Sequence, residues 1–462
     1  MDTDLVMAKK IARAVAEAGG RAYFVGGYVR DRLLGRENKD IDIEVHRVSV
    51  ETLERILDSL GERLTMGASF GVMGLRHYGI DIAMPRSEAA TGRGHKDFAV
   101  FVDPFLGEEK AAARRDFTIN AMMQDALTGE VLDFFGGQDD LERRRIRHVN
   151  DRSFAEDPLR VFRAAQFAAR FGFTVAEETR ALCAGMPVDA LAGERVMGEL
   201  EKALLKAKTP SVFFEELRGM GQLSVWFPEA EALIGVPQPP QYHPEGDVWN
   251  HTMQVLDAAA SLRGQAESPL CLMLAALCHD FGKPGTTAEI DGRLRAFGHE
   301  QAGLPLTEVF LRRLTNETKL IRGVLNLVLL HMEPNKMAGD GAGVKAFMRL
   351  YDKALSPEDL LLLSKADWLG RRGPETDEKQ LAAGYAPTEE KLRGLLALYR
   401  ARMAAPCVTG RDLVEAGFRP GPELGRALEY AHKLHLAGVE RDQQFKQALG
   451  FLRGEHGRDK QG

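Results

Sequence analysis

At 462 residues the chain is too long for one ordinary hydrophobic core, so two to four domains are expected. Its formal net charge of −6 excludes a globally basic nucleic-acid binder, and any such binding must come from local patches. No apolar run approaches a membrane span, and the start MDTDLVMAKK lacks a basic segment followed by an apolar core. The four cysteines are scattered with no CxxC, as expected of reduced thiols in a cytoplasmic protein.

Residues 5–19 pattern as an amphipathic helix ending at Gly19-Gly20. AYFVGG (22–27) then reads as a strand, YVRDRLLG (28–35) as a helix and DIDIEV (40–45) as a second strand. Further strands are expected at GVMGLRHYG (71–79), GIDIAMP (79–85) and VLDFF (131–135), and this α/β part closes near Gly136-Gly137. Beyond it the pattern is helical. DPLRVFRAAQFAARFGF, ERVMGELEKALLKA and SVFFEELRGMGQL carry apolar residues at three- and four-residue intervals. The Pro-rich VPQPPQYHP (236–244) marks a linker or boundary. A second helical region runs to Arg372, and the polar segment GPETDEKQLAAGYAP (373–387) separates it from a helical tail. The domains expected are therefore 1–137, 138–235, 236–372 and 373–462.

The chemistry of the first part centres on Gly26-Gly27 followed by Asp40 and Asp42. Paired glycines let backbone N–H groups approach a triphosphate. Alternate strand residues share a face, so Asp40 and Asp42 are aimed together, and close carboxylates repel unless cations lie between them. That order suits metal-dependent nucleotidyl transfer, with Gly26, Gly27 and Arg30 facing the phosphates. The competing readings are a charged strand edge for the aspartates and a buried ion pair for Arg30 with Asp31. Asp81, in GIDIAMPR, can complete a carboxylate triad. From Arg143 to Arg170 eight arginines face Asp151, Glu156 and Asp157, a local basic patch or a solvated helical face.

GGYVRD with DIDIE, RRDFTINAM (114–122), DFFGGQDDL (133–141) and EDPLRVFRAAQFAARFGF (156–173) resemble, in order, the motifs of bacterial tRNA nucleotidyltransferases. This is the class II, poly(A)-polymerase-like branch of the polymerase β superfamily, whose CCA-adding members build the CCA end of tRNA from CTP and ATP without a template. The resemblance implies a polymerase-β-like α/β (α+β) head followed by all-α neck, HD and tail domains. It implies Asp40, Asp42 and Asp81 as catalytic, Mg2+-binding carboxylates, although many relatives carry Glu where Asp81 stands. Arg114, Arg115, Asp116 and Asn120 match the motif for recognition of nucleotide sugar and phosphate. A loop between Pro85 and Arg114 is the segment the family uses to switch from C to A addition.

Asp157-Pro158 is also a good helix start, and Arg160 lies three residues on, on the same side. Cytosine and adenine each present an amino donor beside an unprotonated ring nitrogen. A carboxylate and a guanidinium match that pair, whereas uracil and guanine would leave both groups unpaired. Asp157 and Arg160 fit this selection, with Glu156 orienting them. Arg163 and Arg170, further along, either reach phosphates or form ion pairs.

Five of the 12 histidines fall between His243 and His331. His279-Asp280 ends the apolar run SPLCLMLAALCHDFGKP, His251 precedes it, and Asp367 follows. A lone histidine on an apolar helix is usually a core residue, but this ordered set resembles the HD superfamily of metal-dependent phosphohydrolases. The resemblance implies His251, His279, Asp280 and Asp367 as ligands, and mixed imidazole and carboxylate donors suit Mn2+, Co2+, Ni2+, Fe or Zn. Lys283, His299 and His331 are candidates for a second metal or for the substrate phosphate. CCA-adding relatives with such a domain show phosphatase and 2′,3′-cyclic phosphodiesterase activity, and a purely structural HD domain is the alternative. The tail segment GRDLVEAGFRPGPELG is expected to bind tRNA or to pack on the HD domain. The expected partners are thus tRNA, CTP and ATP, with no membrane, in a monomer or homodimer. The rival functions are a poly(A) polymerase or A-adding enzyme, and an RNA-binding protein with an inactive head.

Overall fold

A computed structural model of the protein describes residues 3–38, 40–66, 72–90 and 98–453. The chain forms two compact units, Met1–Ala203 with Val212–Val225, and Leu204–Ser211 with Trp226–Gly462.

In the first unit the strands are β1 Arg21–Val25, β2 Ile41–His46, β3 Arg63–Met66, β4 Val72–Leu75, β5 Ile80–Ala83, β6 Arg86–Ala90, β7 Phe98–Val102, β8 Met123–Asp125 and β9 Val131–Leu132. Seven of them form one sheet in the order β3-β4-β5-β2-β1-β8-β9. Only β2 and β5 run parallel within it. β2 alternates as a half-buried strand should: Ile41, Ile43 and Val45 are buried, while Asp42 and Glu44 keep partial solvent access on the other face. Glu44 pairs across the sheet with Tyr23, so the acidic face of β2 is the face carrying Tyr23 and Val25. Those two pack with Ala112, Ala121 and Met123. Helices Thr3–Glu17 and Val50–Leu60 pack on each other, and the first also rests on β1 and β2.

β6 and β7 pair antiparallel as a separate ribbon. They flank residues 91–97 of the segment expected to switch nucleotides, which lie outside the described residues. Helices Leu159–Phe171, Glu177–Ala184, Gly193–Lys206 and Ser211–Gly219 follow. The first of them, and the short helix Asp151–Ala155 before it, share an aromatic core with the head, because the Phe117 ring lies 5.5 Å from both Phe154 and Phe167. One short parallel pair interrupts this helical region, β10 Arg145–Ile146 with β11 Thr174–Val175.

The second unit is built on helices Val248–Leu262, Pro269–Cys278, His299–Leu314, Thr318–Leu330 and Pro357–Leu369. A hairpin, β12 Thr287–Ile290 and β13 Arg293–Ala296, departs from the all-helical expectation. It turns at Asp291-Gly292, both with positive φ. The segment 373–387, expected as a polar separator, is instead helical from Glu378 onward. Asp377 caps a helix that runs to Ala404 straight through Pro387. Packing overrides the proline penalty of about 3 kcal/mol. Tyr385 is buried and donates from its hydroxyl to Asn335 Oδ1 at 3.1 Å, and Trp368 Nε1 donates to the Leu381 carbonyl at 3.2 Å. The tail helices Gly410–Glu415, Pro422–Leu436 and Arg441–Leu452 close a small core of their own around Leu413, Ala427, Ala431 and Ala448.

Candidate functional site

The parallel pairing of β2 and β5 places Asp42 directly opposite Asp81. Asp40 stands just ahead of β2, its N–H donating to Asn38 Oδ1 at 3.0 Å. Asp40 and Asp81 are exposed and Asp42 is half-buried. Burial, then Asp81, then Asp40 push the Asp42 carboxyl up to about 6 against the pull of Arg115. Negative charge is thus concentrated and only partly offset by Arg115, and an all-oxygen donor set of this kind fits a hard divalent cation. A Cβ placed on Gly26 would meet Arg115 Nη1 at 3.4 Å and Asp42 Oδ2 at 3.5 Å. Gly26 has φ +65° and leaves open the space between carboxylate and guanidinium, and Gly27 begins the next helix.

Behind this cradle runs a chain of hydrogen bonds. Asn38 Nδ2 donates to Asp31 Oδ2 (2.9 Å), Arg30 Nε to Asp31 Oδ1 (2.8 Å) and Arg30 Nη1 to Asn120 Oδ1 (2.6 Å). Asn120 Nδ2 donates to Asp116 Oδ1 (3.0 Å), and Arg163 Nε to Asp116 Oδ2 (2.8 Å). Arg30 also lies 4.5 Å from the Phe171 ring centroid. Of the two readings of Arg30, its contacts are those of the buried ion pair. Arg163 likewise pairs with Asp116, and Arg170 stacks on Phe171 at 5.0 Å. Burial raises the Asp116 carboxyl, but the Arg163 guanidinium and the hydrogen bond from Asn120 outweigh it and hold it below its ordinary value. Arg115 Nη2 donates to Glu44 Oε2 at 3.0 Å, and Arg114 Nη1 to the Arg86 carbonyl at 2.9 Å.

Asp157 and Arg160 stand together at the start of helix Leu159–Phe171. Asp157 Oδ1 accepts from the Leu159 N–H at 3.2 Å, but Pro158 rather than Asp157 takes the N-cap position, and Glu156 closes the preceding turn. Arg160 donates to the carbonyls of Ser153 (2.6 Å) and Arg114 (3.0 Å). Sequence reasoning missed Arg195, whose Nη2 reaches both Asp157 oxygens at 3.1 and 2.9 Å. No spacing signal links residues 38 positions apart.

The second cluster assembles where helices of the HD region end. His279 Nδ1 lies 2.8 Å from the Ala276 carbonyl, His299 Nδ1 2.8 Å from Ala296, and His331 Nδ1 2.7 Å from Val328. Each is a bond to the carbonyl three residues back, which assigns the proton to Nδ1 and leaves Nε2 as an electron-pair donor. His251 is held between Glu245 Oε1 (2.7 Å from Nδ1) and Asp367 Oδ1 (3.0 Å from Nε2). The donor atoms form three groups, each within 4.8 Å: His251 with His279 and Asp367, Asp280 with His299 and His331, and His243 with Glu245 and the same His251. The four-ligand set expected from the sequence is therefore divided, and Asp280 joins its halves. Its Oδ1 is 3.3 Å from His299 Nε2 and its Oδ2 is 3.2 Å from His279 Nε2.

His279 Nε2 is buried without a hydrogen-bond partner. Burial, with His279 and His299 alongside, lowers His331 to about 3, so it is a neutral imidazole. An orphaned imidazole nitrogen, a neutral histidine and paired carboxylates fit divalent transition ions. Lys283 Nζ sits 2.7 Å from Asp280 Oδ2 and donates to Gln238 Oε1 at 2.7 Å. The cluster lines a cavity of about 190 Å³, together with Arg295, Met332 and Arg371. Sequence reasoning missed Glu245, which orients His251. The available signal was a carboxylate in the turn whose Asp247 caps the His251 helix.

Residues 22–147 match the family model of the Poly A polymerase head domain, and residues 248–372 that of the HD domain. A multifunctional CCA protein of Halorhodospira halophila is 39% identical over 434 residues, spanning 91% of this chain and 97% of that one. The chain belongs to the multifunctional CCA protein family. Two solved CCA-adding enzymes share the fold of this family member. One, from Bacillus stearothermophilus in complex with CTP, has a TM-score of 0.66 at 21% identity over 99% of both chains. The other, from Thermotoga maritima complexed with tRNA_CCA, has a TM-score of 0.60 at 22% identity over 97% of this chain and 95% of that one. Among the described residues, no helix of the CCA family member is long and apolar enough to cross a membrane.

Proposed function

We propose that the protein is a tRNA nucleotidyltransferase that adds CCA to the tRNA 3′ end from CTP and ATP, releasing pyrophosphate. The observation that carries this reading is the opposition of Asp42 and Asp81 beside the open Gly26 cradle. Asp40, Asp42 and Asp81 would hold Mg2+, which supplies Lewis acidity and charge neutralisation when bound. In the transfer step the RNA 3′-hydroxyl oxygen bonds to the α-phosphorus as its bond to the bridging oxygen breaks. Pyrophosphate takes the electron pair, and the hydroxyl proton passes to solvent. Arg115 lies beside Asp42, so its guanidinium is placed for the phosphates that the aspartates attract. Asp157 and Arg160 select cytosine and adenine, and Arg195 holds the Asp157 carboxylate until a base replaces it. The chain of hydrogen bonds through Arg30, Asn120, Asp116 and Arg163 positions these groups.

The HD cluster supports a second activity, metal-dependent hydrolysis of phosphate esters including 2′,3′-cyclic phosphates. His251, His279 and Asp367, with Asp280, His299 and His331, would hold ions such as Ni2+, Mn2+ or Co2+, which supply Lewis acidity toward the phosphate. Water oxygen bonds to phosphorus, one ribose oxygen leaves, and that oxygen takes the proton. Lys283 offsets the phosphate charge at the cavity wall. In this reading 1–137 is the catalytic head, 138–235 the base-reading neck, 236–372 the hydrolase and 373–462 a tRNA-binding tail, in the cytoplasm.

The deciding assay extends tRNA lacking its CCA end with CTP alone and with CTP plus ATP. Incorporation of C from CTP alone, then of A only after C, is the expected result. Addition of A without C would establish an A-adding enzyme or poly(A) polymerase. Binding without any incorporation would establish an RNA-binding protein with an inactive head.

A further inference from the structure

Alternate residues of β2 point the same way, so Asp42, Glu44 and His46 stand in a row on one face. The row sinks into the protein as the strand proceeds. Asp42 is half-buried, the Glu44 side chain is 12% exposed and the His46 side chain 1%. Asp42 is one of the candidate metal ligands, whereas Glu44 and His46 follow it into the interior.

Both oxygens of Glu44 are engaged. Oε2 accepts from Arg115 Nη2 at 3.0 Å, and Oε1 lies 3.0 Å from His46 Nε2. His46 Nδ1 is buried with no hydrogen-bond partner, so the ring's one hydrogen bond is to Glu44, which assigns a proton to Nε2. The imidazole is fixed in turn by Tyr23, whose ring meets it edge-on at 5.4 Å.

Arg115 therefore stands between two acids. A Cβ on Gly26 would lie 3.4 Å from Arg115 Nη1 and 3.5 Å from Asp42 Oδ2, so guanidinium and carboxylate face each other across that glycine. Yet the ion pair that Arg115 makes is with Glu44, and among the described residues Asp42 makes none. An arginine beside a cation-binding carboxylate competes with the cation, since unrestrained it would pair with the acid itself. Arg115 draws the Asp42 carboxyl down, but burial and Asp81 outweigh it.

We propose that Glu44, braced by His46, is a tether that holds Arg115 off Asp42, keeping the carboxylate open for its cation and the guanidinium free for the triphosphate. This rests on the nucleotidyl-transfer reading of the head. Glu44 and His46 are positioning residues that act through Arg115. Without them Arg115 swings onto Asp42, and one side chain then blocks metal binding and is lost to phosphate binding.

The test is calorimetric Mg2+ binding to the full-length protein, its histidine cluster first filled with Ni2+ and the excess removed. Glu44→Gln keeps the shape and loses the charge, and is expected to weaken Mg2+ binding about tenfold. Arg115→Gln alone should change it less than about twofold, because a tethered guanidinium does not compete. Added to Glu44→Gln, the same change should restore Mg2+ binding. His46→Leu should weaken binding in the same direction, and His46→Gln, whose amide can donate to Glu44, should recover it. The Mg2+ concentration that half-saturates C incorporation from CTP should follow the same order, with kcat of Glu44→Gln recovering at high Mg2+. Three results overturn the tether and leave nucleotidyl transfer standing: unchanged Mg2+ binding in Glu44→Gln, no recovery in the double variant, or an equal factor from Arg115→Gln with and without Glu44. If the unmodified protein neither binds Mg2+ nor incorporates nucleotide, the transfer reading falls and the tether falls with it.

Discussion

Asp116 carries two partners on its two oxygens, Asn120 on one and Arg163 on the other, and both reach it inside a buried environment. Arg163 is about a third exposed and also lies 3.7 Å from Glu199, so removing Asp116 costs about 1–3 kcal/mol rather than the full penalty of an orphaned buried charge. Asp116→Ala should lower stability by that order in urea unfolding and weaken nucleotide addition as Arg163 and Asn120 lose their anchor. The folded pKa of Asp116 is lowered, so its contribution is present above the unfolded value of 3.8 and is lost as pH falls below it. Comparing unfolding at pH 3 and pH 7 in the unmodified protein and in Asp116→Asn checks this: the variant should show the smaller acid loss. Base selection is a second matter at this scale. Asp157→Ala should lower kcat/KM for CTP about 100-fold while changing the poor UTP rate far less, and the ratio of the two is the measurement. The helix start near Asp157 was legible because a carboxylate followed by proline marks such a start. Arg195 and Glu245 were not, since each acts through a contact that only the folded chain creates.

At the scale of elements, the HD region depends on a close approach that only glycine permits. A Cβ on Gly282 would overlap the carbonyl oxygen of His299 and approach the Gly303 nitrogen at 2.7 Å. Gly282→Ala should therefore push the segment after His279-Asp280 away from helix His299–Leu314 and separate the ligand groups of His279 and His299. Metal stoichiometry measured by elemental analysis should fall, with a stability loss of about 1–3 kcal/mol. The local elements of the head were readable because a period of two and a glycine pair are written in consecutive residues. The helix through Pro387 was not, because proline and nearby polar residues point locally to a break. What holds it is Tyr385 and Trp368 packing across to residues far away in the chain. The β12–β13 hairpin was hidden for a related reason: its strands have four residues each, β12 is exposed after its first position and only β13 alternates exposed with half-buried, too weak a period to register.

Across the whole molecule, the two clusters lie in different compact units and share no residue. Asp40→Ala should abolish nucleotide addition and spare phosphate hydrolysis, while His279→Ala should do the reverse. Both activities measured on each variant decide this, and loss of both from either change would refute the separation. The membership of each unit was legible in outline, because the glycine-aspartate motifs and the histidine series occupy separate stretches. The sequence also set His299 and His331 apart from His251, His279 and Asp367, but it did not show the grouping of Asp280 with the former pair. That grouping depends on which way Asp280 turns each oxygen, and a residue doublet carries no such information.

The bonds from His279 and His331 to carbonyls three residues back have a further consequence. Ala276 and Val328 lie in the last turns of their helices, so the same imidazoles that offer Nε2 outward also tie off those helix ends inward. The candidate ligands are thus held by hydrogen bonds to backbone, independent of any bond their Nε2 atoms make to an ion. Stripping the ion with a chelator should leave a shaped socket, and reloading it becomes a matter of diffusion and desolvation, with no refolding step to wait for.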